Sequence, residues 1–197
     1  MRIGVLGGTF DPIHNAHLFV AEDARVRLGL DTVLVVPNGV PPHKKEYTVT
    51  PAEDRLRMVE LAVKGRAHLR AEPMEVYREG PSYTADTLRA LRDEHPGGEI
   101  VFITGADAVA EIGTWHEPEQ VVRLCRLVAV SRPGMGLNDL KDRVPPELFP
   151  FIEVHTAPEI GISATMIRER VREGLPVCYL TPDAVVRYIE EHKLYRA

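Results

Sequence analysis

Short apolar runs that stop at glycine or proline alternate along this chain with stretches of helical period, and this alternation constrains the fold most tightly. Arg2 to Leu6 runs into Gly7-Gly8, and Thr32 to Val36 stops at Pro37. Ile100 to Thr104 precedes Gly105, and Leu127 to Ser131 ends just before Pro133. His68 to Val76 reads as extended, and Phe151 to His155 as a further strand. Between these runs the period changes. Asn15 to Leu28 is helical and closes at Gly29. Thr50-Pro51-Ala52-Glu53 carries the capping-box pattern and predicts a helix to about Val63. Ser82 or Thr84 is placed to cap a helix ending near His95. Ser163 opens a helix that ends at about Glu173, ahead of Gly174, and Thr181-Pro182 opens a last one reaching about His192.

Strands without polar alternation are buried on both faces, and helical crossovers between them make neighbours parallel. The expectation is an α/β fold: a doubly wound, Rossmann-like parallel sheet with helices on both faces. Residues 1–197 are read as a single domain whose C-terminal segment, 163–192, is helical. Gly134 to Pro150 has the weakest pattern and is expected to be a surface insertion.

Composition narrows the function classes. At 44% hydrophobic and 27% charged, the chain is ordinary globular protein. A net charge of −5 argues against a general nucleic-acid binder, which needs a basic surface. Two cysteines, Cys125 and Cys178, make no disulfide framework and read as reduced thiols. With no leader pattern and no run long enough to span a bilayer, the expected location is the cytoplasm, with no membrane partner.

The chemistry is expected at the carboxyl ends of the strands, where open α/β sheets bind ligands. The first run is followed by Gly7-Gly8-Thr9-Phe10-Asp11-Pro12-Ile13-His14-Asn15-Ala16-His17. Glycines admit close approach to a phosphate, and a helix N-terminus favours its charge. His14 and His17, three apart, share a face of the first turn and can donate to phosphate oxygens. A metal pair is the rival reading, but no third ligand lies nearby in sequence. The string is neither a Walker loop nor the Gly-x-Gly-x-x-Gly fingerprint.

Other strand ends add candidates. Lys44, in the loop after the second run, suits a phosphate or is a solvated charge. The N–H groups near Thr84 suit a carboxylate, unless that end is a plain cap. Trp115, the only tryptophan, offers an aromatic face on a loop or belongs to the core. Asp107 is a ribose-hydroxyl acceptor or a helix cap, and Arg132 a weaker phosphate candidate. Ser163, Thr165 and Arg168, at the start of their helix, suit terminal phosphates. Arg55 and Arg57 read as solvated surface.

Taken together these strings resemble a known family. Gly7-Gly8-Thr9-Phe10-Asp11-Pro12 with His14-x-x-His17 is similar to the signature of the His-x-Gly-His nucleotidyltransferases. Pro41-Pro42-His43-Lys44, Ser82-Tyr83-Thr84-x-x-Thr87-Leu88, Gly105-Ala106-Asp107 with Trp115, and Ile162-Ser163-x-Thr165-x-Ile167-Arg168 extend the resemblance to the bacterial nicotinate-nucleotide adenylyltransferases. The chain departs from the family pattern at Ala16, where glycine is usual, and at Ala164, where a second serine is common.

The resemblance implies an enzyme of NAD biosynthesis that transfers AMP from ATP to nicotinate mononucleotide, giving nicotinate adenine dinucleotide and pyrophosphate. It places ATP on Gly7, Gly8, Thr9, Phe10, His14, His17, Gly105, Asp107, Ile162, Ser163, Thr165 and Arg168. It places the mononucleotide on Thr9, Lys44, Ser82, Tyr83, Thr84, Trp115 and Arg132, with Trp115 stacking on or near the nicotinate. His14, His17, Lys44 and Arg168 are the expected catalytic charges. Mg²⁺ is expected to ride on the ATP phosphates, with no metal site built from the protein. Nicotinamide mononucleotide and phosphopantetheine are alternative acceptors, and a non-catalytic nucleotide sensor is the reading from another class. A homo-oligomer is left open.

Overall fold

The structure, a computed structural model, describes residues 1–41, 49–131 and 140–196. Six strands form one sheet: β1 (Arg2–Gly8), β2 (Thr32–Pro37), β3 (Leu69–Ala71), β4 (Glu99–Gly105), β5 (Arg126–Ser131) and β6 (Ile152–Thr156). Their order is β3-β2-β1-β4-β5-β6, and every pairing is parallel. This is the doubly wound order expected from the alternation, with the winding reversing between β1 and β4.

The helices are α1 (Asn15–Arg27), α2 (Ala52–Val63), α3 (Met74–Tyr77), α4 (Thr84–Glu94), α5 (Ala106–Val109), α6 (Pro118–Leu124), α7 (Ala164–Arg172) and α8 (Asp183–Glu191). Ile112–Thr114 and Phe149–Phe151 are single 3₁₀ turns. Among the described residues no helix is long and apolar enough to cross a membrane.

Alternate residues of each central strand enter two different cores. Ile3 and Val5 of β1, Leu34 and Val36 of β2, and Ile100 and Phe102 of β4 pack with Leu88 and Leu91 of α4 and Val121 of α6. Leu6, Val33, Val35, Val101 and Ile103 pack on the other face with Leu18 and Ala21 of α1, Met58 and Val59 of α2, and Val185 and Ile189 of α8. Burial on both faces is why the strands read as continuous apolar runs. Each fully buried Leu, Ile or Val contributes roughly 1.5–3 kcal/mol by transfer from water.

Several local expectations hold, and several are corrected. Gly29 closes α1 at a φ of +63°, with Leu30 N–H bonded to Arg25 O. Ser163 caps α7 by accepting the Met166 N–H at 3.1 Å. The capping box at Thr50 does not form: Pro51 is the N-cap of α2, and no side chain caps it. Neither Ser82 nor Thr84 caps α4, whose N-cap is Tyr83, again without a side-chain bond. The extended reading of His68 to Val76 fails after Ala71, because Pro73 turns the chain into α3. The expected surface insertion is exposed at most of its described residues but anchors itself in the core through Leu140, Val144 and Leu148. Residues 134–139 of that segment lie outside the described residues.

Candidate active site

The loop between β1 and α1 carries the signature. Phe10 takes a left-handed φ of +49°, and Phe10, Asp11, Ile13 and His14 are all buried. The His14 and His17 rings stack at 3.6 Å between centroids and 17° between planes. The His14 backbone N–H donates to His17 Nδ1 at 3.2 Å. A nitrogen that accepts carries no proton, so neutral His17 presents Nε2–H as its donor. Burial pulls the His14 pKa down to about 4. Burial, and then the neighbouring His14, also hold His17 well below its ordinary range. Both rings are therefore neutral hydrogen-bond donors at pH 7. His14 Nδ1 is buried with no hydrogen-bond partner among the described residues. An anion beside this pair would favour the charged forms and raise both values.

Two cavities meet at this point, one on each face of the sheet. The first, about 470 Å³, lies on the α1 side. Its walls are Leu6, Gly7, Gly8 and Phe10, then Ala16, His17, Phe19 and Val20 of α1, then Thr104, Gly105, Val130 and Ser131 at the ends of β4 and β5, and the segment from Ala157 to Ser163. The second, about 250 Å³, lies on the α4 side, lined by Val5, Val36, Asn38, Glu75, Ser82, Tyr83, Thr84, Phe102, Ala108, Thr114, Trp115 and His116 together with Gly7, Gly8 and Thr104. Gly7, Gly8 and Thr104 border both. A Cβ on Gly8 would sit 2.9 Å from the Phe10 ring, so no larger residue fits there without moving the ring.

The second cavity is aromatic and polar. Trp115 packs edge-on against Phe102 with centroids 6.2 Å apart, so it is both core and wall. Tyr83 and His116 lie 4.3 Å apart at 30°. Tyr83 is the N-cap of α4, so the helix's N-terminus, without a side-chain cap, lies on this wall with N–H groups suited to a carboxylate. Glu75, also on this wall, is buried and donates nothing when ionised. It accepts from Thr87 Oγ1 at 2.6 Å, and burial raises its pKa above the ordinary carboxylate range.

The structure thus gathers Gly7, Gly8, Phe10, His17, Gly105, Ile162 and Ser163 around the first cavity. It gathers Ser82, Tyr83, Thr84 and Trp115 around the second. Thr9, His14, Asp107, Thr165 and Arg168 border neither. Arg168 donates to Asp11 O at 2.7 Å and to Thr165 Oγ1 at 3.2 Å, which ties it to the back of the signature loop. Lys44 and Arg132 lie outside the described residues.

Asn38, Thr104, His116 and the 157–161 segment are wall residues that the sequence reading passed over. Arg55 is a direct correction. It is 1% exposed and donates to Thr9 O, Asn38 Oδ1, Gly39 O and Thr50 O at 2.8–2.9 Å. Four acceptors compensate a buried guanidinium that an isolated charge could not survive. Arg57, on the solvent side, pairs with Glu60 as expected of surface.

Comparisons with known proteins give the family. The model of the cytidylyltransferase-like family matches residues 5–170. A protein of Dehalococcoides mccartyi named "Probable nicotinate-nucleotide adenylyltransferase" is 43% identical, over 99% of this chain and 97% of its own length. One of the same name from Geobacillus kaustophilus is 45% identical, over 100% of this chain and 87% of its own. The chain belongs to the nicotinate-nucleotide adenylyltransferases. The likeness extends to solved structures: Plasmodium falciparum nicotinic acid mononucleotide adenylyltransferase complexed with NaAD superposes with a TM-score of 0.76, at 18% identity, covering 98% of this chain and 97% of that one. That match carries the fold. In this adenylyltransferase the signature begins at Gly7 and Gly8, the end of β1, where it borders both cavities.

Proposed function

We infer that this adenylyltransferase joins the AMP of ATP to nicotinate mononucleotide, giving nicotinate adenine dinucleotide and releasing pyrophosphate. One observation carries the reading: two cavities on opposite faces of the sheet share Gly7, Gly8 and Thr104 as a common wall. Two nucleotides, one in each, would meet phosphate to phosphate at that wall. The larger cavity takes ATP and the smaller the mononucleotide. Trp115 stacks on the pyridine ring, and the uncapped end of α4 receives its carboxylate.

The mononucleotide's 5′-phosphate oxygen attacks the α-phosphorus in line. The new P–O bond forms as the bond to the β-phosphate oxygen breaks, and pyrophosphate leaves with its electron pair. The attacking group is already an anion, so no general base is required. Positioning and charge stabilisation do the remaining work. His17 donates from Nε2–H to the phosphorane oxygens, and His14 lends a second ring whose affinity for a proton rises as charge arrives. Arg168 holds the loop from behind, and Lys44 is assigned to phosphate by its residue type and position in the sequence.

Asp11, the carboxylate nearest the histidines in sequence, already accepts from Tyr195 Oη at 2.7 Å and Thr50 N at 3.2 Å. That fits a Mg²⁺ that would be held by phosphate oxygens and would supply charge neutralisation for the leaving pyrophosphate. Pyrophosphate release with ATP and Mg²⁺ tests the reading, with nicotinate mononucleotide, nicotinamide mononucleotide and phosphopantetheine compared in parallel. Preference for the first is expected. Turnover of another acceptor would reassign the smaller cavity. ATP binding without turnover of any acceptor would favour a nucleotide sensor.

A further inference from the structure

The signature loop is held in place by residues outside the signature. The carbonyl oxygens of Thr9, Asp11 and Ile13 accept, respectively, from Arg55 Nη1 at 2.8 Å, Arg168 Nη1 at 2.7 Å and Thr181 Oγ1 at 2.7 Å. Asn15 N–H, at the start of α1, donates to Leu180 O at 2.9 Å. The Asp11 side chain is fixed on both oxygens: Oδ1 by the Tyr195 hydroxyl and Oδ2 by the Thr50 N–H. Asp11 stands three residues before His14, follows the left-handed Phe10, and is 1% exposed.

Tyr195 comes from the far end of the chain, 184 residues away. After α8 the backbone turns through left-handed conformations at Lys193 and again at Tyr195, and Leu194 N–H bonds back to Ile189 O. These turns bring the phenol under the loop, where its ring packs in the α1–α2–α8 core and its hydroxyl also approaches Met58 Sδ at 3.9 Å. The hydroxyl faces a buried carboxylate, and a charge-assisted O–H···O⁻ bond is among the stronger hydrogen bonds a protein makes.

We propose that Tyr195 is a positioning residue for adenylyl transfer: through Asp11 it fixes the turn that presents His14 and His17 to the phosphates. This rests on the reaction proposed above. The effect is geometric. If Asp11 loses its hydroxyl partner, the turn after Phe10 gains freedom, and the His14–His17 stack moves with it. Phosphate donors displaced by a fraction of an ångström lose transition-state contact before they lose ground-state binding.

The test is Tyr195→Phe, which removes one oxygen and keeps the ring in its core. Two readouts are taken on the full chain. In steady-state kinetics with ATP and nicotinate mononucleotide, kcat is expected to fall roughly 10-fold or more while both KM values stay within about 2-fold, as displacement of aligned groups predicts. In ¹⁵N spectra of the imidazoles without ligand, the Nε2–H tautomer of His17 is expected to lose its dominance. In an Asp11→Ala background, adding Tyr195→Phe should change neither readout further. A Tyr195→Phe protein with wild-type kcat and unchanged imidazole signals, melting earlier, would show a plain anchor for the C-terminus and overturn the proposal. Wild-type protein that releases no pyrophosphate would sink the reaction reading instead, and the imidazole spectra would still decide the role of Tyr195.

Discussion

The two cavities are built from different materials. The wall on the α1 side joins the backbone of Gly7, Gly8 and Gly105 to aliphatic and phenyl side chains such as Phe10, Phe19, Val130 and Ile162, with His17 as its ring donor. The wall on the α4 side is aromatic and hydroxylic, with Trp115, Tyr83 and His116 around a helix end and a buried Glu75. The glycine end suits a polyphosphate, whose charge needs N–H groups and close approach, and the apolar remainder suits a base. Ring faces and a few fixed polar groups suit a flat heterocycle, whose identity must be checked. Under the reaction proposed above, the difference separates chemistry from selection, with Gly7 and Gly8 as the wall that the two cavities share.

The largest break in this comparison should come from His17→Ala. Loss of a preorganised donor to the transition state is expected to lower kcat by about 10²–10³-fold, with KM for the mononucleotide little changed. Single-turnover kinetics would measure it, and a near-normal kcat would remove His17 from the chemistry. Trp115→Ala attacks the other side. KM for nicotinate mononucleotide should rise roughly 10-fold or more, in line with stacking on an aromatic face, while KM for ATP holds. Equal effects on both substrates would mean that Trp115 serves the core alone.

The signature loop, through His14, and the smaller cavity's wall, through Glu75, should respond to pH in opposite directions. His14 has a folded pKa pulled down to about 4 from 6.5, so the unfolded chain binds the extra proton between those values. Stability from this side is complete above 6.5 and is lost as pH falls toward 4. Glu75 has a raised folded pKa, so its contribution is present in acid and is lost as pH rises through its titration. Melting curves from pH 4.5 to 8, without ligand, should show His14→Ala flattening the acid limb and Glu75→Gln flattening the limb above it. One variant altering both limbs would mean that the two regions are coupled. The smallest effect is expected from Ala16→Gly, which removes a methyl from the ATP-side wall. KM for ATP should shift less than about 3-fold, and stability should fall by roughly 0.5–1 kcal/mol for glycine in a helix.

Much of this was legible beforehand, for reasons that differ by element. β1, β2, β4 and β5 could be read because both their faces are buried, which leaves uninterrupted apolar runs. The Gly7-to-His17 string could be read because it sits at a strand end and joins directly to a helix. The caps expected at Thr50 and Ser82 lose to tertiary partners: Thr50 N–H, which a capping box would give to Glu53, donates to Asp11 instead, and Ser82 Oγ accepts from the Gly39 N–H at 2.9 Å. The helix patterns offered no competing partner to warn of this. The core role of Leu140, Val144 and Leu148 was hidden because burial depends on what passes overhead, not on local period.

By itself, the sequence determined the alternation of elements, the doubly wound topology and the position of the signature loop at a strand end. These rest on interactions within a few residues, such as helical period, strand run length and terminators. Only the tertiary structure decided that Arg55 is buried while Arg57, two residues on, is surface. The same holds for the meeting of Tyr195 with Asp11, and for the separation of one loop's surroundings into two cavities. Those outcomes require acceptors and walls from segments far apart in the chain. A side chain's fate there is set by which carbonyls and carboxylates the sheet brings within about 3 Å, a distance that no local pattern encodes.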